Sequence, residues 1–131
     1  MALERGERQV CRVVHVPTVA DEDRRRLSRE RERLLKESTS HISRIKGLLM
    51  LHGIRAFVPT GHTWKRRLDA LITAEGQALP ARLKAEIARE CRRLELVKEL
   101  LAEVDREQVQ EIEREAGVAQ RLIGTFHLGG A

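Results

Sequence analysis

Residues 80–116 read PARLKAEIARECRRLELVKELLAEVDREQVQEIEREA. Within that stretch apolar side chains recur at Leu83, Ile87, Cys91, Leu94, Val97, Leu101, Val104 and Ile112, with Glu90 as the alternative to Cys91 and Gln108 taking one place in the stripe. The spacing alternates between three and four residues and repeats in sevens for four heptads, which predicts a long amphipathic helix of the coiled-coil kind. Pro80 suits the first helical turn, where its missing N–H is no loss, and Gly117 is expected to close the helix after Ala116.

Toward the N-terminus, residues 21–52 predict a second long helix. Thr18 or Asp21 can accept the orphan N–H groups of its first turn, and the acids at 21–23 favour the positive end of the helix dipole. Leu27, Leu34, Leu35, Ile42, Ile45, Leu48 and Leu49 fall on one stripe, interrupted by Arg31 and Ser38 where a strict heptad wants apolar residues. Gly53 is placed to end this helix as a left-handed residue. Residues 53–80 form a connector punctuated by Pro59, Gly61, Gly76 and Pro80, in which Trp64 to Thr73 offers a short amphipathic helix using Trp64, Leu68, Leu71 and Ile72.

Neither long helix, each about 50 Å at 1.5 Å per residue, can bury its stripe alone. The expected fold is therefore all-α: two long helices in an antiparallel helical hairpin, or a coiled coil across a dimer, with a short connector helix. The seam is expected at Leu34, Ile42, Ile45, Leu49, Ile87, Leu94, Leu101 and Ile112. Residues 9–16, QVCRVVHV, are rich in β-branched side chains and stop at Pro17, so residues 1–20 read as a short extended N-terminal arm. A lone strand needs a partner, and residues 118–131 begin a further apolar helix at Leu122 and Ile123 and stop. Both ends are expected to belong to neighbouring structure outside this sequence.

Composition narrows the function. The chain has 131 residues, 34% of them charged and 2% aromatic, with 25 Lys and Arg against 20 Asp and Glu. That suits packed helices and one small domain. No apolar run is long enough to span a membrane, and the first residues carry acids and no apolar core, so neither a membrane partner nor a secretory signal is expected. Cys11 and Cys91 are scattered and match neither a zinc site nor a disulfide framework, which fits a cytoplasmic location.

The charge is uneven: residues 21–52 carry +3 and the connector +2, whereas 81–116 carries −2. Arg24, Arg25, Arg26, Arg29, Arg31 and Arg33 form one cluster, Arg44, Lys46 and Arg55 continue it, and Lys65, Arg66 and Arg67 form another. Planar guanidinium groups suit phosphate, and such a stripe is the footprint of a nucleic-acid binder. With so few aromatics, contact should be with backbone and shape. The other reading is a solvated helix face, because Glu30, Glu32 and Glu37 interleave with the arginines at ion-pair spacing.

Candidates for catalysis are poor. Asp21, Glu22 and Asp23 point in different directions around a helix start and read as capping residues. His15, His41, His52, His62 and His127 lack metal-ligand spacing, and Ser28, Ser38, Ser40 and Ser43 lie mid-helix without a base. No glycine-rich phosphate loop is present.

The stretch RVVHVPTVADEDRRRLSRERERLLKESTSHISRIKGLL (12–49), followed by Gly53-Ile54 and later by LPARLKAEIARE (79–90) and RLEL (93–96), resembles the middle of DEDD transposases of the insertion-sequence-110 family. The resemblance covers about residues 12–116. It implies a central coiled coil between an N-terminal RuvC-like domain, which supplies metal-binding acids, and a C-terminal domain with a serine nucleophile. On that basis residues 1–20 would be the end of the RuvC-like domain, 21–117 the coiled-coil hairpin and 118–131 the start of the C-terminal domain. No catalytic residue carries over, so this chain would hold no metal itself, although a divalent metal is expected in the full-length protein. The implied partners are DNA, a structured guide RNA and a second copy of the chain, in a bacterial, nucleoid-associated setting. Backbone contacts are assigned to Arg24, Arg25, Arg26, Arg29, Arg33, Arg44, Lys46, Lys65, Arg66 and Arg67. The alternative is a free-standing helical-hairpin scaffold or dimerisation module with no nucleic-acid role.

Overall fold

The computed structural model describes residues 16–130, with side chains as far as Leu122. Three helices follow in order: α1 (Val19–Met50), α2 (Trp64–Asp69) and α3 (Ala81–Gly130). The two long helices pack side by side and α2 lies against α3, so the all-α hairpin with a connector helix holds. The direction is antiparallel, since Ser28 pairs with Gln108, Arg31 with Asp105 and Arg44 with Glu90. The arm expected at 9–16 lies outside the described residues except for Val16, which is exposed.

α1 begins on a capping box. The Asp21 N–H donates to the Thr18 hydroxyl oxygen at 3.1 Å, and the Thr18 N–H donates to the Asp21 carboxylate at 3.1 Å. It ends where the Ile54 N–H reaches back to the Leu49 carbonyl (3.1 Å) and the Gly53 N–H to that of Met50 (3.0 Å). This reciprocal pair is a Schellman closure, and it needs Gly53 at φ 75°. A Cβ on Gly53 would also meet the Cβ of Ala74 at 2.6 Å, because the Ala74 N–H donates to the His52 carbonyl and draws the second half of the connector against the helix end. Glycine is required there twice over.

The seam has two parts. Near the connector, Ile45 and Leu49 of α1 and Ile87, Cys91 and Leu94 of α3 enclose a core with Ile54, Phe57, Trp64, Leu68 and Leu79. Farther out, Leu34 meets Val97 and Val104, with Leu27 and Leu101 packed beside them. Arg31, which interrupts the apolar stripe, spans the seam to Asp105 at 2.6 Å.

Four expectations need correction. Leu35 points off the stripe and is 39% exposed. The connector helix stops at Asp69, and Ile72 instead forms an isolated antiparallel bridge with Ala78 across a turn at Gly76. Gly117 does not close α3, which runs unbroken to Gly130, so residues 118–130 continue the same helix. A glycine within a helix costs only about 1 kcal/mol and stops it only in the left-handed conformation, which Gly117 does not adopt. Finally, Ile112 is 64% exposed and takes no part in the seam between α1 and α3. The seam ends there because Ile112 shares an open groove with Ser28, Arg31 and Glu32 of α1, which are polar.

Candidate nucleic-acid interface

The cations assigned to backbone contact divide into two groups. Arg24, Arg25, Arg26, Arg29 and Arg33 lie along the first half of α1, while Arg44, Lys46, Lys65, Arg66 and Arg67 lie around the connector. From Arg25 to Lys46 the helix rises about 30 Å, so they do not make one site.

In the first group most guanidiniums are engaged along their own helix. Arg24 meets Asp21 at 2.5 Å, Arg29 meets Glu22 at 3.1 Å, and Arg26 is 3.9 Å from Asp23. The Thr18 N–H and hydroxyl, with Arg24 beside them, hold the Asp21 carboxyl below the usual carboxylate range. Arg25 and Arg33 are exposed and carry no acidic partner among the described residues, on the face of α1 turned away from the seam. The facing part of α3 is acidic. Residues 94–116 hold eight Asp and Glu against three Lys and Arg.

Three members of the second group are exposed and, among the described residues, without an acidic partner: Lys46, Lys65 and Arg66. Lys65 stands over the Trp64 ring, 5.8 Å from its centre. Arg67 is turned inward. Its guanidinium donates to the carbonyls of Val58 (2.9 Å) and Thr60 and to the Thr63 hydroxyl oxygen, tying the loop before α2 to that helix. It braces the loop, which leaves it fewer donors than Lys65 or Arg66 for the backbone contact assigned to it.

Arg44 is committed in part to Glu90, the buried acid of the described residues, which is 1% exposed at the middle of the α1–α3 seam. The His41 Nδ1–H donates to Glu90 at 2.7 Å, Arg93 donates at 2.6 Å and Arg44 at 3.4 Å. Burial opposes the Glu90 charge, but these donors outweigh it and keep the carboxyl below its ordinary value. Both Cys91 and Glu90 are thus inside, which answers the choice the heptad pattern leaves open. Desolvation, with the charges of Glu90 and Glu95, pushes the Cys91 thiol up to about 11, so it is a packing residue and not a nucleophile.

The clearest electrostatic feature is one that counting charge helix by helix conceals. Residues 44–93, the closed end of the hairpin, hold eleven Lys and Arg against four Asp and Glu, a net +7. Residues 21–43 and 94–122, the open end, hold eleven against fourteen, a net −3. Arg82, Lys84, Arg89, Arg92 and Arg93 bring +3 to the first turns of α3 after Glu86 and Glu90 are subtracted. Sequence reasoning missed them because the −5 of residues 94–116 averages that helix to −2. Splitting α3 at Leu94 would have exposed the difference.

Among the described residues no group of three or more His, Cys, Asp and Glu is gathered that could hold a metal, and no helix is long and apolar enough to cross a membrane. No family model matches the chain, and no solved structure matches it. A relative does. The protein named "Putative transposase y4rJ", from Sinorhizobium fredii (strain NBRC 101917 / NGR234), is 42% identical over 127 residues, which is 97% of this chain and 31% of that protein. The chain thus spans about a third of the length of the relative it matches, and over nearly all of its own length it is similar to a protein named as a transposase.

Proposed function

We propose that this chain is part of a transposase, a helical hairpin that contacts nucleic-acid backbone and joins protomers while other parts of the protein carry the chemistry. The observation that carries the reading is the 42% identity to the Sinorhizobium fredii relative over nearly the whole chain. The finer assignment is to the insertion-sequence-110 type, with this hairpin between a RuvC-like and a serine-bearing domain, and it rests on the resemblance of residues 12–116. The +7 closed end supports backbone contact, since clustered unpaired cations bind phosphate through counterion release. Exposed Val109, Ile112, Val118 and Leu122 on α3 support protomer contact.

Titration of the 131-residue chain with labelled duplex DNA and RNA across a salt series tests the first role. Affinity should fall by about 10³-fold or more between roughly 50 and 200 mM salt if six or more phosphates are held. For the second role, light scattering should show an oligomer whose mass drops in Ile112→Asp, a change at an exposed position that leaves the hairpin core intact. The free-standing scaffold is favoured by one observation, the pairing of Arg24 and Arg29 with acids of their own helix. That reading predicts no binding to either probe and an oligomer indifferent to salt.

A further inference from the structure

We propose that the groove between α2 and the first turns of α3 is a phosphate-backbone subsite gripped by Lys65, Arg89 and Arg92. The proposal rests on the nucleic-acid reading above and places the contact on two elements that the arginine pattern of α1 does not include.

The groove has a volume of about 390 Å³ and is open to solvent. Four cations line it, Lys65 from α2 and Lys84, Arg89 and Arg92 from α3, against one acid, Asp69. Lys84 uses that acid, its Nζ lying 3.2 Å from the carboxylate. Lys65, Arg89 and Arg92 therefore line one space with no acidic partner among the described residues. Like charges held this close repel, and an anion in the groove relieves the repulsion. Alanines at 81, 85 and 88 line the same wall, so a strand can approach α3 without displacing a side chain.

The chemistry of the walls also says what part of a nucleic acid is held. Trp64, the single tryptophan, is 2% exposed. Its Nε1–H donates to Glu95 at 3.3 Å and the Lys65 ammonium covers its face. The ring has no free surface on which a base could stack, so recognition is by charge and by the paired donors of the two guanidiniums. The subsite reads phosphates and is indifferent to sequence. The pocket on the other side of Trp64 is lined by Glu95 and Glu99 with a lone Lys98 and offers no such field.

The test uses the full 131-residue chain with a labelled duplex DNA and a labelled single-stranded RNA of about 20 nucleotides, read by anisotropy over a salt series. Arg89→Gln with Arg92→Gln should weaken binding about tenfold or more and lower the salt slope by about 2, and Lys65→Gln alone should lower it by about 1. Arg89→Lys with Arg92→Lys should keep most of the slope, since the charges remain. Arg25→Gln with Arg33→Gln, on the outer face of α1, should change affinity less than the Arg89 and Arg92 pair. Far-ultraviolet circular dichroism should be unchanged throughout, because all these side chains are exposed. Parental affinity and slope in the glutamine pair would overturn the subsite and leave the nucleic-acid reading of the chain standing. Failure of the parent to bind either probe at low salt would overturn both. Loss of self-association in the glutamine pair, with no nucleic-acid binding by the parent, would overturn the proposal in favour of an acidic protein surface in the groove.

Discussion

The two halves of the α1–α3 hairpin share one heptad seam but are held in different ways. At the closed half the seam has a third wall. Trp64 and Leu68 from α2, with Ile54, Phe57 and Leu79 from the connector, cap Ile45, Leu49, Ile87 and Leu94 and remove them from water. At the open half no third element among the described residues covers the two helices, and Leu34, Val97 and Val104 form a thin line bordered by the Arg31–Asp105 ion pair and the Gln108–Ser28 hydrogen bond. A heptad pattern supplies adhesion between two helices, whereas a dry core takes a third element. The hairpin is therefore expected to be stable at its closed end and to open first from the other.

Equivalent truncations should expose that gradient most strongly. Leu94→Ala, at a fully buried position, should cost about 3–5 kcal/mol in urea unfolding, while Leu34→Ala should fall nearer to about 2 kcal/mol because its neighbours can relax into water. Equal costs at the two sites would erase the distinction.

Glu90 lies inside the closed half, between Ile87 and Leu94, and its removal should have the next largest effect. Glu90→Gln leaves His41 and Arg93 facing a weaker acceptor and should cost about 1–3 kcal/mol. The pH sign follows from its lowered carboxyl. The unfolded chain takes up its proton first, near the ordinary value of 4.5, so the stabilisation is present above that pH and is lost as pH falls through the lower folded value. Melting below pH 4.5 should therefore be less pH-dependent in Glu90→Gln than in the parent.

The open half should respond to salt only weakly. A double-mutant cycle on Arg31 and Asp105 should give a coupling of about 1 kcal/mol or less, shrinking as salt is added, because both side chains are partly exposed. The smallest expected signal is chemical. In a Cys11→Ser background Cys91 should resist a thiol reagent at pH 8 in native buffer and label only once the closed half unfolds. Ready labelling of the native protein would mean that the closed half opens as easily as the rest.

Much of the fold could be read from local pattern. The threes and fours of Ile87, Leu94, Val97 and Val104 mark buried positions of α3, and Gly53 marks the end of α1, because periodicity and left-handed backbone leave traces within a few residues. The failures came where the deciding partner is distant or absent. Gly117 resembles a terminator, yet termination depends on the backbone turning left-handed, and no described residue near Gly117 draws it out of the helix as Ala74 draws in the chain after Gly53. Arg67 sits in a run of three cations, and its bonds to Val58 and Thr60 leave no trace in that run. The closeness of Lys65 to Arg89 and Arg92 is a product of tertiary packing, which no local spacing records.

The unequal lengths of the two long helices have a mechanical consequence. α1 has 32 residues and α3 has 50, and the Ser28–Gln108 and Arg31–Asp105 pairs set the start of α1 level with Gly117, so among the described residues α3 runs on about 20 Å past its companion. A rod anchored at one end acts as a lever. A tilt of about 5° at the closed end would displace the far end of an unbent α3, about 75 Å away, by about 6 Å. A tilt at the closed end is thereby carried to the far end of α3 by the stiffness of the helix alone.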